Sequence, residues 1–106
     1  MSDKQLYRMK ADILKSLAHP IRLQILDCLG GGEQCVCKIS ERLDAERSNV
    51  SRHLAVMVKS GVLTSRKEGL MVYYRLRTPC VLNFSTCVAR ALREQLRQSA
   101  ELLTKL

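Results

Sequence analysis

Apolar positions recur at helical spacing through most of the chain and alternate strictly in one place only. Residues 3 to 18 put Leu6, Met9, Ile13 and Leu17 on one stripe, with Tyr7, Leu14 and Ala18 beside it, which predicts an amphipathic first helix. His19-Pro20 should end it, because proline disfavours the helical conformation of the residue before it and suits the first turn of a following helix. That second helix spans about 20 to 29, with Ile21, Ile25, Leu26 and Leu29 as its inner face, Cys28 pointing the same way, and Gly30-Gly31-Gly32 as its stop. From Glu33 a third helix is predicted on a Val36, Ile39, Leu43 stripe, with Cys35 and Cys37 flanking it on opposite sides.

Asp44-Ala45-Glu46-Arg47 reads as a tight turn, and a fourth helix starts near Ser48. Val50, Leu54, Met57 and Val58 form its apolar stripe, Asn49, Arg52, Val56 and Lys59 fall on another, and Gly61 closes it. The alternation follows: 62 to 67 and 70 to 77 are β-prone runs about Glu68-Gly69, with Val72, Tyr74 and Leu76 opposed to Tyr73, Arg75 and Arg77. This predicts a hairpin. Thr78-Pro79 then signals a last helix, over about 79 to 104, with Thr as N-cap and Pro as first residue. Its stripe of Phe84, Val88, Ala91 or Leu92, Leu96, Ala100 and Leu103 is longer than so small a domain can bury alone, which predicts a homodimer through the first and last helices.

The order helix, helix, helix, helix, hairpin, helix is that of a winged helix-turn-helix: mainly α with a β-hairpin wing. Residues 34 to 60 make the helix-turn-helix and 62 to 77 the wing. A length of 106 residues, 46% of them hydrophobic, allows one domain over residues 1 to 106. Charge adds a partner. The first 53 residues hold 9 basic and 7 acidic side chains and the rest hold 9 and 3, so most of the net +8 lies where the fourth helix and wing are. A small basic domain of this kind points to a polyanion, and the fourth helix offers Ser48, Asn49, Ser51, Arg52 and His53 to a major groove. Arg52 is suited to guanine, and Lys59, Arg66 and Lys67 to phosphates. Double-stranded DNA is the expected partner, with no membrane. No apolar run is long enough to span a bilayer and no export signal opens the chain, so a cytoplasmic place is expected.

Five cysteines without an export signal predict free thiols, not a disulfide scaffold. On a continuous third helix Cys35 and Cys37 would lie roughly 200° apart, so one ion held by both would have to distort the first turn. Soft ions with sulfur-rich shells suit such a site: As(III) or Sb(III) with three thiolates, or Cd(II) or Pb(II). A third sulfur could come from Cys80 or Cys87, within a subunit or across a dimer; Cys28 reads as core. No thioredoxin-like βαβ pattern and no nucleophile, base and orienting residue are present, which argues against an enzyme, and no organic cofactor is expected.

The residues Ala18-His19-Pro20-Ile21-Arg22-Leu23-Gln24-Ile25-Leu26, Cys35-Val36-Cys37, Val50-Ser51-Arg52-His53-Leu54 and Ser60-Gly61-Val62-Leu63 resemble the ArsR/SmtB repressors over nearly the whole chain. The Cys-Val-Cys is similar to the thiolate site of the arsenic-sensing and cadmium/lead-sensing members. The resemblance implies a homodimer that holds an operator and lets go when inducer binds. It also shows departures. Ser40 stands where arsenic sensors often have a third Cys, residues 1 to 19 hold none of the extra Cys of cadmium/lead sensors, and Glu46 occupies a turn position where Ser is usual. The last helix lacks the Asp and His of a zinc site. A thiol redox or persulfide sensor of the same fold is the alternative, with Cys28 and Cys87 the nearest match to that type's pair.

Overall fold

The computed structural model describes residues 1–106. Its elements are α1 (Asp3–Leu17), α2 (Pro20–Leu29), β1 (Gln34–Cys35), α3 (Val36–Leu43), α4 (Arg47–Lys59), β2 (Leu63–Glu68), β3 (Met71–Leu76) and α5 (Val81–Leu103). The fold is the expected one: mostly helical, with α3 and α4 as the helix-turn-helix and a small antiparallel sheet as the wing.

Local chemistry sets most boundaries. Ser2 and Gln5 close a reciprocal capping box at the start of α1. His19 does the same service for α2, its Nδ1 accepting from the Ile21 amide at 3.1 Å, while Pro20 occupies the first turn. Asp44 ends α3 in the left-handed region at φ 49°, a conformation Asp tolerates better than most residues. Gly61, at φ 88°, ends α4, and the Val62 amide donates back to the Met57 carbonyl, which aims the chain from α4 into the wing.

Three helices and the first wing strand meet in one core. Ile25 and Leu26 from α2, Ile39 from α3, Val50, Leu54 and Met57 from α4 and Leu63 from β2 are all at most 1% exposed. The stripes expected on α2 and α4 are therefore the ones that are buried, and Cys28 lies with them. The position of α4 is fixed on its inner side, which leaves its outer side presented at a set angle.

The structure departs from the sequence reading at four places. The hairpin turn is Gly69-Leu70, one residue later than expected, because Glu68 pairs with Met71. The last helix begins at Val81: the amides of Val81, Leu82 and Asn83 bond to the carbonyls of Thr78, Pro79 and Cys80, a tighter turn than an α-helix, and Thr78 caps nothing. The sheet has three strands, ordered β1-β3-β2 and antiparallel, because Gln34 and Cys35 pair with Tyr74 and Tyr73. Cys35 consequently lies outside α3, as its extended N-cap residue at φ −81°, ψ 159°.

No residue of α5 is buried within the chain. Phe84, Val88, Leu92 and Leu96 stand about half exposed or more, as do Leu6, Met9, Ile13 and Leu14 of α1. No helix is long and apolar enough to cross a membrane.

Candidate nucleic-acid interface and thiol site

The outer side of α4 is polar and basic. Ser48, Arg52 and Lys59 are exposed, while Asn49, Ser51 and His53 are half-buried along its flanks. Arg52 is held in place by its neighbour one turn back, its Nη2 donating to Asn49 Oδ1 at 2.7 Å. A guanidinium fixed in this way keeps donors free for a planar acceptor pair.

His53 is tied inward. Its Nδ1 accepts from Arg22 Nε at 3.1 Å, and its ring lies against His19, tilted by 40° with centroids 4.2 Å apart. Arg22 also donates to the Ser16 carbonyl at 3.2 Å, so it joins the α1–α2 junction to α4. Burial, then the neighbouring His19 ring and the Arg22 and Arg52 guanidiniums, pushes the His53 pKa below the ordinary histidine value. His19 and Arg22 went unnoticed as site residues in the sequence, where His19 read as a helix break and Arg22 only as part of the family-like stretch 18–26. The available signal was that both histidines of the chain sit within three positions of an arginine on the pattern that resembles the family.

In the wing, Arg66, expected to suit a phosphate, is half exposed and held between two carboxylates: Nε lies 3.0 Å from both Glu33 oxygens, Nη2 2.6 Å from Glu33 Oε1 and Nη1 2.8 Å from Glu68 Oε2. It also lies over the Tyr73 ring at 4.6 Å. The Arg66 hydrogen bonds hold the Glu33 carboxyl below its ordinary range. Lys67 is exposed on the opposite face of the strand, as alternation requires, and no ion pair engages it.

At the base of the wing lies the thiol pair. Cys35 is buried and Cys37 half-buried, with their sulfurs 2.8 Å apart. Two residues of one helix could not face each other so, and they do here because Cys35 is extended while Cys37 is in the first turn. The expected distortion of a helical turn is therefore unnecessary. The Cys35 thiol sits below its ordinary pKa, first through its hydrogen bond with Cys37 and then through the Lys38 amide at the helix start, although no amide closes a capping bond to it. Each neighbouring contact ties this pair to something else. Cys35 is laddered to Tyr73 of the wing, and Glu33, two residues back, grips Arg66.

The remaining thiols are separate. Cys28 is 4% exposed, donates to Gln34 Oε1 at 3.7 Å, and has its pKa pushed up by burial. Cys80 and Cys87 are exposed on α5 and the turn before it. Within one chain no three His, Cys, Asp or Glu side chains are gathered as a metal site, so neither Cys80 nor Cys87 completes a three-sulfur set in a single subunit. Ser40, one turn beyond Cys37, keeps a buried hydroxyl with no hydrogen-bond partner. The chain thus brings two sulfurs together and gathers no third beside them.

Residues 19–65 match the model of the bacterial regulatory protein, arsR family. Over 107 residues the chain is 30% identical to an uncharacterized HTH-type transcriptional regulator of Mycobacterium tuberculosis, covering 100% of this chain and 94% of that one. It is 41% identical over 71 residues to the arsenical resistance operon repressor of Escherichia coli, covering 66% of this chain and 61% of that one. Among solved structures it is similar to a homodimeric winged helix-turn-helix DNA-binding domain from Mycobacterium bovis. That likeness has a TM-score of 0.77, 31% identity, and coverage of 92% of this chain and 93% of the other.

Proposed function

Because the chain belongs to the arsR family of bacterial regulatory proteins, which are DNA-binding transcriptional regulators and not enzymes, we propose that it is a homodimeric operator-binding repressor released by As(III) or Sb(III). The observation that carries the inducer assignment is the Cys35–Cys37 sulfur pair, 2.8 Å apart at the start of the helix that supports α4. Three-coordinate metalloids take thiolates at short range, and the lowered pKa of Cys35 favours that form. Cys80 or Cys87 of a second copy is the proposed third ligand, and Cd(II) or Pb(II) would accept the same sulfurs. The arsenical resistance repressor of Escherichia coli supports the metalloid over the softer divalent ions.

Release needs the ion to bind one state of the protein better than the other. A hundredfold loss of operator affinity requires about 2.7 kcal/mol of coupling, within the usual allosteric range. Cys35 has two routes for it: into α3, whose first turn holds Cys37, and into the wing through the β1–β3 ladder. An ion that also takes the third sulfur pulls on the pair, and through it on β1, the wing and α3 under α4.

DNA reading falls to α4, with Ser48, Asn49 and Arg52 toward bases and Lys59 and Lys67 toward phosphates. Arg52→Ala should weaken operator binding by about 1–3 kcal/mol and flatten the base preference at one position per half-site. A footprint titration of wild type and variant against single-base operator changes checks this; a uniform loss across all positions would reassign Arg52 to the backbone.

The inducer assignment is tested by titrating As(III), Sb(III), Cd(II) and Pb(II) into the DNA-bound protein while following release by anisotropy. Release at near-stoichiometric As(III) or Sb(III) is the expected result. Release by an oxidant or polysulfide alone would favour the thiol redox or persulfide reading. That reading has less support, since Cys28 is buried with a raised pKa and makes a poor nucleophile.

A further inference from the structure

The chain has two histidines, and the fold brings both into one cleft. This cleft, about 560 Å³, opens between the start of α2 and the flank of α4, and His19, Arg22, Asn49, Arg52 and His53 supply all its polar lining. It contains two guanidiniums, two imidazoles and an amide, and no carboxylate. Such a cluster has no counter-charge of its own, in contrast to Arg66 and Arg97 elsewhere, each of which is paired with two glutamates.

We propose that this cleft seats a backbone phosphate of bound duplex DNA, and that as the phosphate enters, Arg22 turns its Nε–H from His53 to the phosphate and the freed His53 Nδ1 takes up a proton. The inference rests on the reading of the chain as a DNA-binding regulator and adds a site and a proton linkage to it.

Placement comes first. An α-helix is about 10–12 Å across with its side chains and the major groove about 12 Å wide, so a helix lying in the groove brings its flanks against the phosphate rims. Asn49 and Arg52 lie on the edge between the outer face of α4 and the cleft, so a duplex that meets Arg52 has its backbone at the cleft mouth.

The proton follows from the hydrogen bonds. Arg22 Nε can only donate, so the Nδ1 it reaches on His53 must carry a free lone pair, and His53 is neutral in the free protein. Burial, then the adjoining His19 ring and the facing charges of Arg22 and Arg52, keep it so. A phosphodiester brings one negative charge among those cations and removes the repulsion that disfavoured imidazolium. The histidine pKa then rises on binding, and by linkage the affinity rises as pH falls from above the bound value toward the free one. Cleft groups contributed by the α1–α2 junction, α2 and α4 are all cationic or neutral, so no acid there can reverse this sign.

The test uses the full chain and a mixed-sequence duplex at constant ionic strength, since a phosphate contact is indifferent to sequence. Affinity between about pH 8 and 5.5 should rise by up to about tenfold per unit across the window, and His53→Gln, whose amide oxygen can still accept from Arg22, should flatten the profile. Calorimetry in two buffers of different ionisation enthalpy near pH 6.5 counts the protons directly and needs no variant. Net uptake on wild-type protein supports the site; duplex binding with no uptake and no pH dependence overturns it while leaving DNA binding intact. Inorganic phosphate alone is the second arm. If it shifts both histidine ring resonances and is not displaced by duplex, the cleft belongs to a free anion and the backbone assignment falls. A chain that binds no duplex at any pH overturns the parent reading and the inference with it.

Discussion

Cys35→Ser should yield a protein at least as stable as the wild type that holds its operator and no longer lets go. The N-cap position it occupies favours Ser, Thr, Asp or Asn, whose oxygens satisfy the free amides of a first helical turn, and replacing a non-capping residue by a capping one is worth about 0.5–2 kcal/mol. Cys35 makes no such bond although its backbone is extended as a cap's should be. A serine oxygen there can accept from the α3 amides at Lys38 and Cys37, so it does not become an unsatisfied buried hydroxyl. The variant therefore separates packing from chemistry: the fold keeps or gains stability while a soft ion loses half of the assembled sulfur pair. Thermal melting together with DNA release under an As(III) titration measures both. A Cys35→Ser protein that melts no lower than wild type yet still dissociates at wild-type inducer concentrations would eliminate the thiol pair as the sensor.

The second large effect is expected on α5. Leu92→Glu places a charge in the middle of a stripe that is exposed in the single chain, where Leu92 itself is 54% accessible. In an isolated subunit that change costs little. In a dimer built on α1 and α5 it buries a carboxylate without a partner, which is strongly unfavourable. The apolar hollow of about 310 Å³ between the end of α1, α2 and the start of α5, lined mainly by Leu14, Leu17, Leu23, Phe84 and Val88, would lose its cover at the same time. Light scattering should show a monomer, and operator affinity should fall by about 10²- to 10⁴-fold, the usual advantage of two linked binding modules over one. A variant that remains dimeric with wild-type affinity would move the interface elsewhere.

Legibility in the sequence followed the range of the interactions. The helices with buried stripes, α2 on Ile25, Leu26 and Leu29 and α4 on Val50, Leu54 and Met57, were visible because burial repeats every three or four positions. The hairpin was visible in the alternation of β3. What escaped was short or distant. The strand β1 is two residues long, too brief for any period, and its partners Tyr73 and Tyr74 lie far along the chain. Without that strand Cys35 reads as helical, and the geometry of the thiol pair comes out wrong. The ion pairing of Arg66 escaped for a similar reason, because Glu33, the carboxylate that holds it, is 33 positions away. The candidate DNA-facing residues of α4 were identifiable by position, whereas the inward ties of His53 to Arg22 and His19 depend on how α2 crosses α4 and carry no local signature.

Two residues make β1 a very short tether. Successive side chains of a strand point to opposite sides, so while Cys35 faces its fellow thiol, Gln34 reaches the other way and donates to the Cys28 carbonyl of α2 at 2.9 Å. A longer strand could absorb a tug at one end by slipping or fraying. This one has no length in which to do so, and the only slack nearby is upstream, in Gly30-Gly31-Gly32, where an added Cβ would meet no atom within 4 Å at Gly31 or Gly32. Gln34 anchors β1 to α2 short of that slack, so strain entering at the sulfurs would pass toward the wing, a direction built in before any ligand arrives.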